Sequence, residues 1–158
     1  MAVLIVKGQL VQPGVSQDAV FEIDTGLGVL DQKTLWEIIA FEALWKSVGS
    51  VSGTEQWYMV QAALTRKPEK IDYLDSEVIS AIRWTANGGS GAAGDLIPFE
   101  SLKRDLLIDK PWVANSKIYV VLTGWVANVQ TIQFKIAYEE KKVSEVEFLK
   151  AQSGYCIC

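Results

Sequence analysis

Residues Thr131 to Glu140 read TIQFKIAYEE, with Ile132, Phe134, Ile136 and Tyr138 at every second position. Gln133, Lys135, Ala137 and Glu139 fill the places between them. Successive side chains of an extended strand point to opposite faces, so this pattern buries one face and wets the other. The segment is predicted as a half-buried β-strand. A chain built on such strands has to stack two layers so that their apolar faces meet.

The same reading extends along the chain. KIYVVLTGW from Lys117 is β-branched and apolar on both faces, as an interior strand is. The short VAN before residue 129 suits a tight antiparallel connection between these two strands. AVLIVKGQLVQ reads as a strand interrupted near Gly8, and AVFEID as a second, with Pro13-Gly14 as the turn between them. QWYMVQAALT and EVISAIRW also alternate. DQKTLWEIIAFEALWKSV is ambiguous. It offers a capping box, Thr34-x-x-Glu37, but also one strand face of Leu35, Glu37, Ile39, Phe41, Ala43 and Trp45. The strand is preferred, with SVGSVSGTEQ turning it into a hairpin with Trp57–Thr65. VSEVEFLKA carries a second box, Ser144-x-x-Glu147, and fits a short helix or a final strand. PFESLKRDLL fits one helical turn after Pro98. W-x-A-N occurs at Trp84–Asn87, Trp112–Asn115 and Trp125–Asn128, each time with Asn where a turn is expected. Seven or eight short strands joined by Gly, Pro and Asn turns give an all-β, antiparallel sandwich of jelly-roll type, with long loops and at most one or two short helices. At 158 residues it is expected to form one domain, with an exposed tail from about residue 152.

Composition excludes several functions. Histidine is absent, which removes the commonest general base and metal ligand and any Ser-His-Asp or Cys-His nucleophile. The only cysteines are Cys156 and Cys158, too few for a Cys/His zinc site. The net charge is −4, with no Lys/Arg cluster and no basic N-terminal arm, so direct nucleic-acid binding is not expected. MAVLIV has no basic n-region and stops at Lys7, and no stretch reads as a transmembrane helix.

Gly89-Ser90-Gly91-Ala92-Ala93-Gly94 spells G-x-G-x-x-G. Asp95 would face the phosphate, Pro98 opposes a helix starting at Gly94, and no acidic residue falls about 20 positions on. The match is read as an exposed strand connection. Asp72, Asp75 and Glu77 lack the spacing of a cation loop, and Glu139-Glu140 beside Lys141-Lys142 reads as a solvated turn. Glu37 and Glu42 are the remaining carboxylate pair, usable by a glycosidase only across a cleft. The terminal SGYCIC resembles the prenylated end of Rab-type GTPases, but no G-x-x-x-x-G-K-[ST] accompanies it. Cys156 and Cys158 are read either as an intersubunit disulfide or as two ordinary thiols.

In size, strand density and long loops, the chain is similar to the single jelly-roll capsid proteins of icosahedral viruses, especially tailless DNA viruses of archaea and bacteria. That resemblance implies eight strands in two facing sheets and subunits that assemble into pentamers or pseudo-hexagonal capsomers. Partners would be further copies and other capsid proteins, and the location a virion; outside that reading the chain is soluble, in no identifiable compartment. The missing basic arm departs from many RNA-virus coats and fits a genome enclosed by a membrane or bound by other proteins. No catalytic, cofactor or metal residues are assigned, and the chain is not read as an enzyme. The alternative is a carbohydrate-binding sandwich in which Trp57, Tyr58, Trp112 and Trp125 stack on sugar rings.

Overall fold

In the computed structural model the alternating segment is a strand (β9, Thr131–Lys142) whose burial follows its sequence. Ile132, Phe134, Ile136 and Tyr138 are buried, whereas Gln133 and Lys135 are exposed. The structure describes residues 2–14, 17–27, 33–47, 55–63, 78–88, 96–104, 112–125, 129 and 131–152, with β4, β6 and most of β5 described through their backbone. Before β9 come β1 (Leu4–Val11), β2 (Ala19–Asp24), β3 (Thr34–Ser47), β4 (Glu55–Ala63), β5 (Val78–Gly88), β6 (Leu96–Arg104), β7 (Trp112–Val113) and β8 (Lys117–Trp125); α1 (Glu145–Gln152) follows it.

The strands form two antiparallel sheets, ordered β1-β9-β3-β7 and β2-β8-β4-β5-β6. The pairing is nested. First meets last (β1–β9), second meets second-last (β2–β8) and third meets third-last (β3–β7). β4 and β5 then pair with each other, and β6 is an extra edge strand. A long antiparallel ribbon rolled into two layers gives this order, so the architecture is the expected jelly-roll sandwich. Leu10, Ile132, Phe134 and Ile136 of one sheet meet Ile23, Ile118, Val120 and Leu122 of the other in the core. β8 lies between β2 and β4, and Val120, Val121 and Leu122 are all fully buried, which is why it reads apolar on both faces.

Two expected hairpins are absent. β8 and β9 lie in different sheets, as do β3 and β4. Face-to-face sheets are only about 10 Å apart, so a short segment crosses between layers as readily as it turns within one. Two smaller expectations also fail. Residues after Pro98 continue β6 instead of forming a helical turn, because β6 is a sheet edge, where a residue without an N–H is tolerated. Asn87 sits inside β5 opposite Glu55, whereas Asn115 does lie in a bend, its carbonyl accepting a 2.7 Å bond from the Thr25 hydroxyl. Asn128 lies outside the described residues.

β3 settles the helix-or-strand ambiguity and corrects its face. Ile38 opposes Tyr138 while Ala40 opposes Ala137, so Ile39 is an inserted bulge residue. A bulge shifts the in–out parity. Trp36 and Ile38 face the core before it and Phe41 after it. Leu35 and Glu37 therefore do not share a face with Phe41; they lie on the outer side.

β1 runs through Gly8 without a break, opposite Phe134. A Cβ at Gly8 would overlap the tip of the Phe134 ring, which also meets Phe21 edge-on at 5.2 Å. Glycine is there to seat that ring. Gly8→Ala is expected to lower stability by about 1–3 kcal/mol. In a Phe134→Leu background the penalty should shrink by at least about 0.5 kcal/mol, measured by denaturant unfolding; equal penalties in both backgrounds would show that the ring is not the reason for the glycine.

Candidate assembly surface

The outer face of the β1-β9-β3-β7 sheet has a covered half and an open half. α1 makes the cover. Ser144 is its N-cap: the Glu147 amide donates to Ser144 Oγ (3.4 Å), and the Glu147 carboxylate accepts from the Ser144 amide (2.8 Å) and hydroxyl (2.7 Å). This is the capping box read from the sequence, and it selects the helix over a final strand. The approach to the cap is held by the Val143 amide donating to the Lys33 carbonyl (3.0 Å) and by a Lys33–Glu145 ion pair at 3.7 Å. Phe148 and Ala151, three apart on one face of α1, then close over Leu35 and Ala114 as a second small core.

Beside that core lies Glu37, only 6% exposed. Its carboxylate accepts from the indole N–H of Trp112 at 3.0 Å and pairs with the Lys141 ammonium. Trp112 is the direct cross-strand neighbour of Glu37, and Lys141 that of Leu35. A buried carboxylate needs such partners. The expected solvated turn at 139–142 is thus corrected: these residues end β9, and Lys141 pairs with Glu37 on the outer face of the sheet.

The open half carries Ile5, Lys7, Gln9 and Val11 of β1 opposite Ala137, Lys135, Gln133 and Thr131. Gln133 donates to Gln9 at 3.3 Å. Ile5 and Val11 are 55% and 51% exposed, and Val3 and Leu4 beside them are also exposed. β1 is the sheet edge, with no described strand on its outer side. On α1, Val146 and Leu149 face solvent at 61% and 48%. Apolar side chains along a long, exposed edge are suited to pairing with another chain.

Two further described groups, Lys117 and Tyr138, have shifted pKa values. The Glu22 carboxylate, hydrogen-bonded at 2.5 Å, raises the pKa of Lys117 on the neighbouring strand. Burial, with a smaller contribution from Glu140, raises that of Tyr138. The Tyr138 ring stacks on Trp36 with centroids 3.8 Å apart, and the Trp36 indole N–H is buried without a partner. Glu37 and Glu42 lie five residues apart on one strand, about 16 Å by strand rise. That exceeds the roughly 5–10 Å of a glycosidase pair, and Glu42 is exposed rather than facing Glu37 across a cleft. Among the described residues, no cluster of three or more His, Cys, Asp or Glu could hold a metal ion.

Of the aromatic candidates, Trp112 packs against the core beneath α1 with its N–H committed to Glu37. Trp57 and Trp125 are opposed positions of β4 and β8, and Tyr58 opposes Gly124. Cys156, Cys158, the Gly89–Gly94 loop and the Asp72, Asp75, Glu77 group lie outside the described residues. Sequence reasoning missed the exposed edge of β1. Its alternation was visible, but its position at the end of a sheet is set by topology.

The nested sheets define the class: an antiparallel jelly-roll sandwich, with the β1 edge and one face of α1 exposed among the described residues. Among solved chains sharing this fold is VP1 of the Trichodysplasia spinulosa-associated polyomavirus, with a TM-score of 0.51 and 10% identity, covering 90% of this chain and 96% of VP1. The likeness is one of fold. No family model matches the chain, and no curated protein matches it.

The α1 cap has a defined pH response. The Ser144 hydroxyl, then its amide, hold the Glu147 pKa below its ordinary value of 4.5. A depressed carboxylate pKa stabilises the fold above the unfolded value, and the effect is lost as pH falls through the folded one. Acidification below 4.5 should therefore fray α1. Glu147→Gln should remove that step from a thermal-melting series against pH; an unchanged acid step in the variant would assign it to another group.

Proposed function

We propose that this chain is a structural, self-assembling protein, a coat subunit of an icosahedral viral capsid, located in the virion. The observation that carries this reading is the nested β1–β9, β2–β8, β3–β7 pairing of this chain, taken with its likeness in overall fold to the polyomavirus capsid protein VP1. The exposed β1 edge and the apolar face of α1 support it, because a building block needs surfaces for further copies. Its partners are copies of itself and other capsid proteins. With a net charge of −4, the genome is held by other means than a basic surface of this chain. No described helix is long and apolar enough to cross a membrane. This reading assigns no catalytic role; among the described residues Glu37 pairs with Lys141, Glu22 with Lys117 and Glu145 with Lys33. In the same reading Cys156 and Cys158 link neighbouring subunits.

Purified protein should form rings or closed shells by negative-stain electron microscopy, across a series of concentration and salt. Reductant should loosen them if the terminal cysteines are bridged. A monomer under every condition would contradict the proposal.

A further inference from the structure

Edge strands are ordinarily blunted by charge, proline or a cover. β1 has eight residues, is not bulged against β9, and leaves Ile5 and Val11 more than half exposed. Its one charge, Lys7, forms the central pair of the strand with Gly8. We infer that β1 pairs antiparallel with β1 of a second copy across a two-fold axis through Gly8, joining two four-stranded sheets into one eight-stranded layer. This rests on the self-assembly reading and names the contact by which two copies meet.

The sequence of β1 selects that register. Directly opposed residues of an antiparallel pair share a face. Both cores stay on one side of the joined sheet only if odd-numbered residues oppose odd-numbered ones. A register centred on Lys7 would set two ammonium groups directly opposite, which is destabilising. One centred on Gln9 would leave Ile5 beyond the end of the pairing. Centred on Gly8, Ile5 meets Val11 of the second copy and Lys7 meets Gln9 on the outer face. Val6 meets Leu10 on the core face. Each contact occurs twice, as an isologous interface requires. The glycine at the axis already seats Phe134 within its own subunit, so the residue that permits the core also removes bulk from the crossing point. One strand pair is smaller than the roughly 1,200–2,000 Å² of a standard stable interface, so this contact acts together with others in an assembly and is best read by trapping.

The test uses the full chain with Cys156→Ser and Cys158→Ser. In that background Ile5→Cys plus Val11→Cys is compared with Lys7→Cys alone, under oxidised glutathione. Positions 5 and 11 are about 20 Å apart along one extended strand, so a bond between them joins two molecules. The double variant should form a covalent dimer with the 5-to-11 linkage by peptide mapping, and Lys7→Cys should give several-fold less dimer. All these positions except the tail lie on the solvent face, and matching melting curves confirm that folding is retained. No dimer from the double variant, or equal dimer from Lys7→Cys, overturns the contact. Shells without the 5-to-11 linkage would leave self-assembly standing and remove this contact. Linked dimers without shells would keep the contact and remove the capsid reading.

Discussion

A strand with one apolar face carries two obligations: hydrogen-bond partners for its backbone and a second layer for its side chains. β9 meets the first between β1 and β3, and the second by laying Ile132, Phe134 and Ile136 against β8 and β2. Because β9 comes near the end of the chain and β1 at its start, closure of that pair makes the intervening strands nest inward. The jelly-roll order is then a consequence of one long-range ladder, and the core sits where the nested pairs face each other.

What surrounds the core follows from local conflicts with that ladder. Phe134 needs the space above Gly8, so β1 keeps a glycine in mid-strand. Ile39 bulges out of β3, which turns Leu35 and Glu37 away from the core. That outward apolar spot needs a cover, and α1 supplies it with Phe148 and Ala151. Glu37, beside the cover, is charge-paired with Lys141 and accepts a hydrogen bond from the Trp112 indole N–H. Among the described residues of that face, the β1 side stays open beside the helix.

Much of this was legible in the sequence because side-chain periodicity is a local signal. β9, β8, β3 as a strand and the Ser144–Glu147 cap all follow from residues within one turn or a few strand positions of each other. Sheet membership was not legible. Nothing in VAN or SVGSVSGTEQ distinguishes a turn within a layer from a crossing between layers, since a few residues span either the roughly 5 Å between strands or the roughly 10 Å between sheets. The bulge at Ile39 was equally hidden, because an inserted residue is recognised only against its partner strand. The pairing of Glu37 with Lys141, 104 positions away, and the exposed edge of β1 depend on topology in the same way. The candidate surface was therefore the least readable part of the chain.

Amide hydrogen exchange on dissociated and assembled protein tests the nested closure most directly. The account predicts the slowest exchange in β8 and β9, each flanked on both edges, in either state. β1 should be intermediate in the dissociated subunit, with half of its amides protected by β9, and should gain protection on assembly. Exchange in β9 as fast as in α1, or protection of β9 without any in β1, would contradict the pairing of first strand with last.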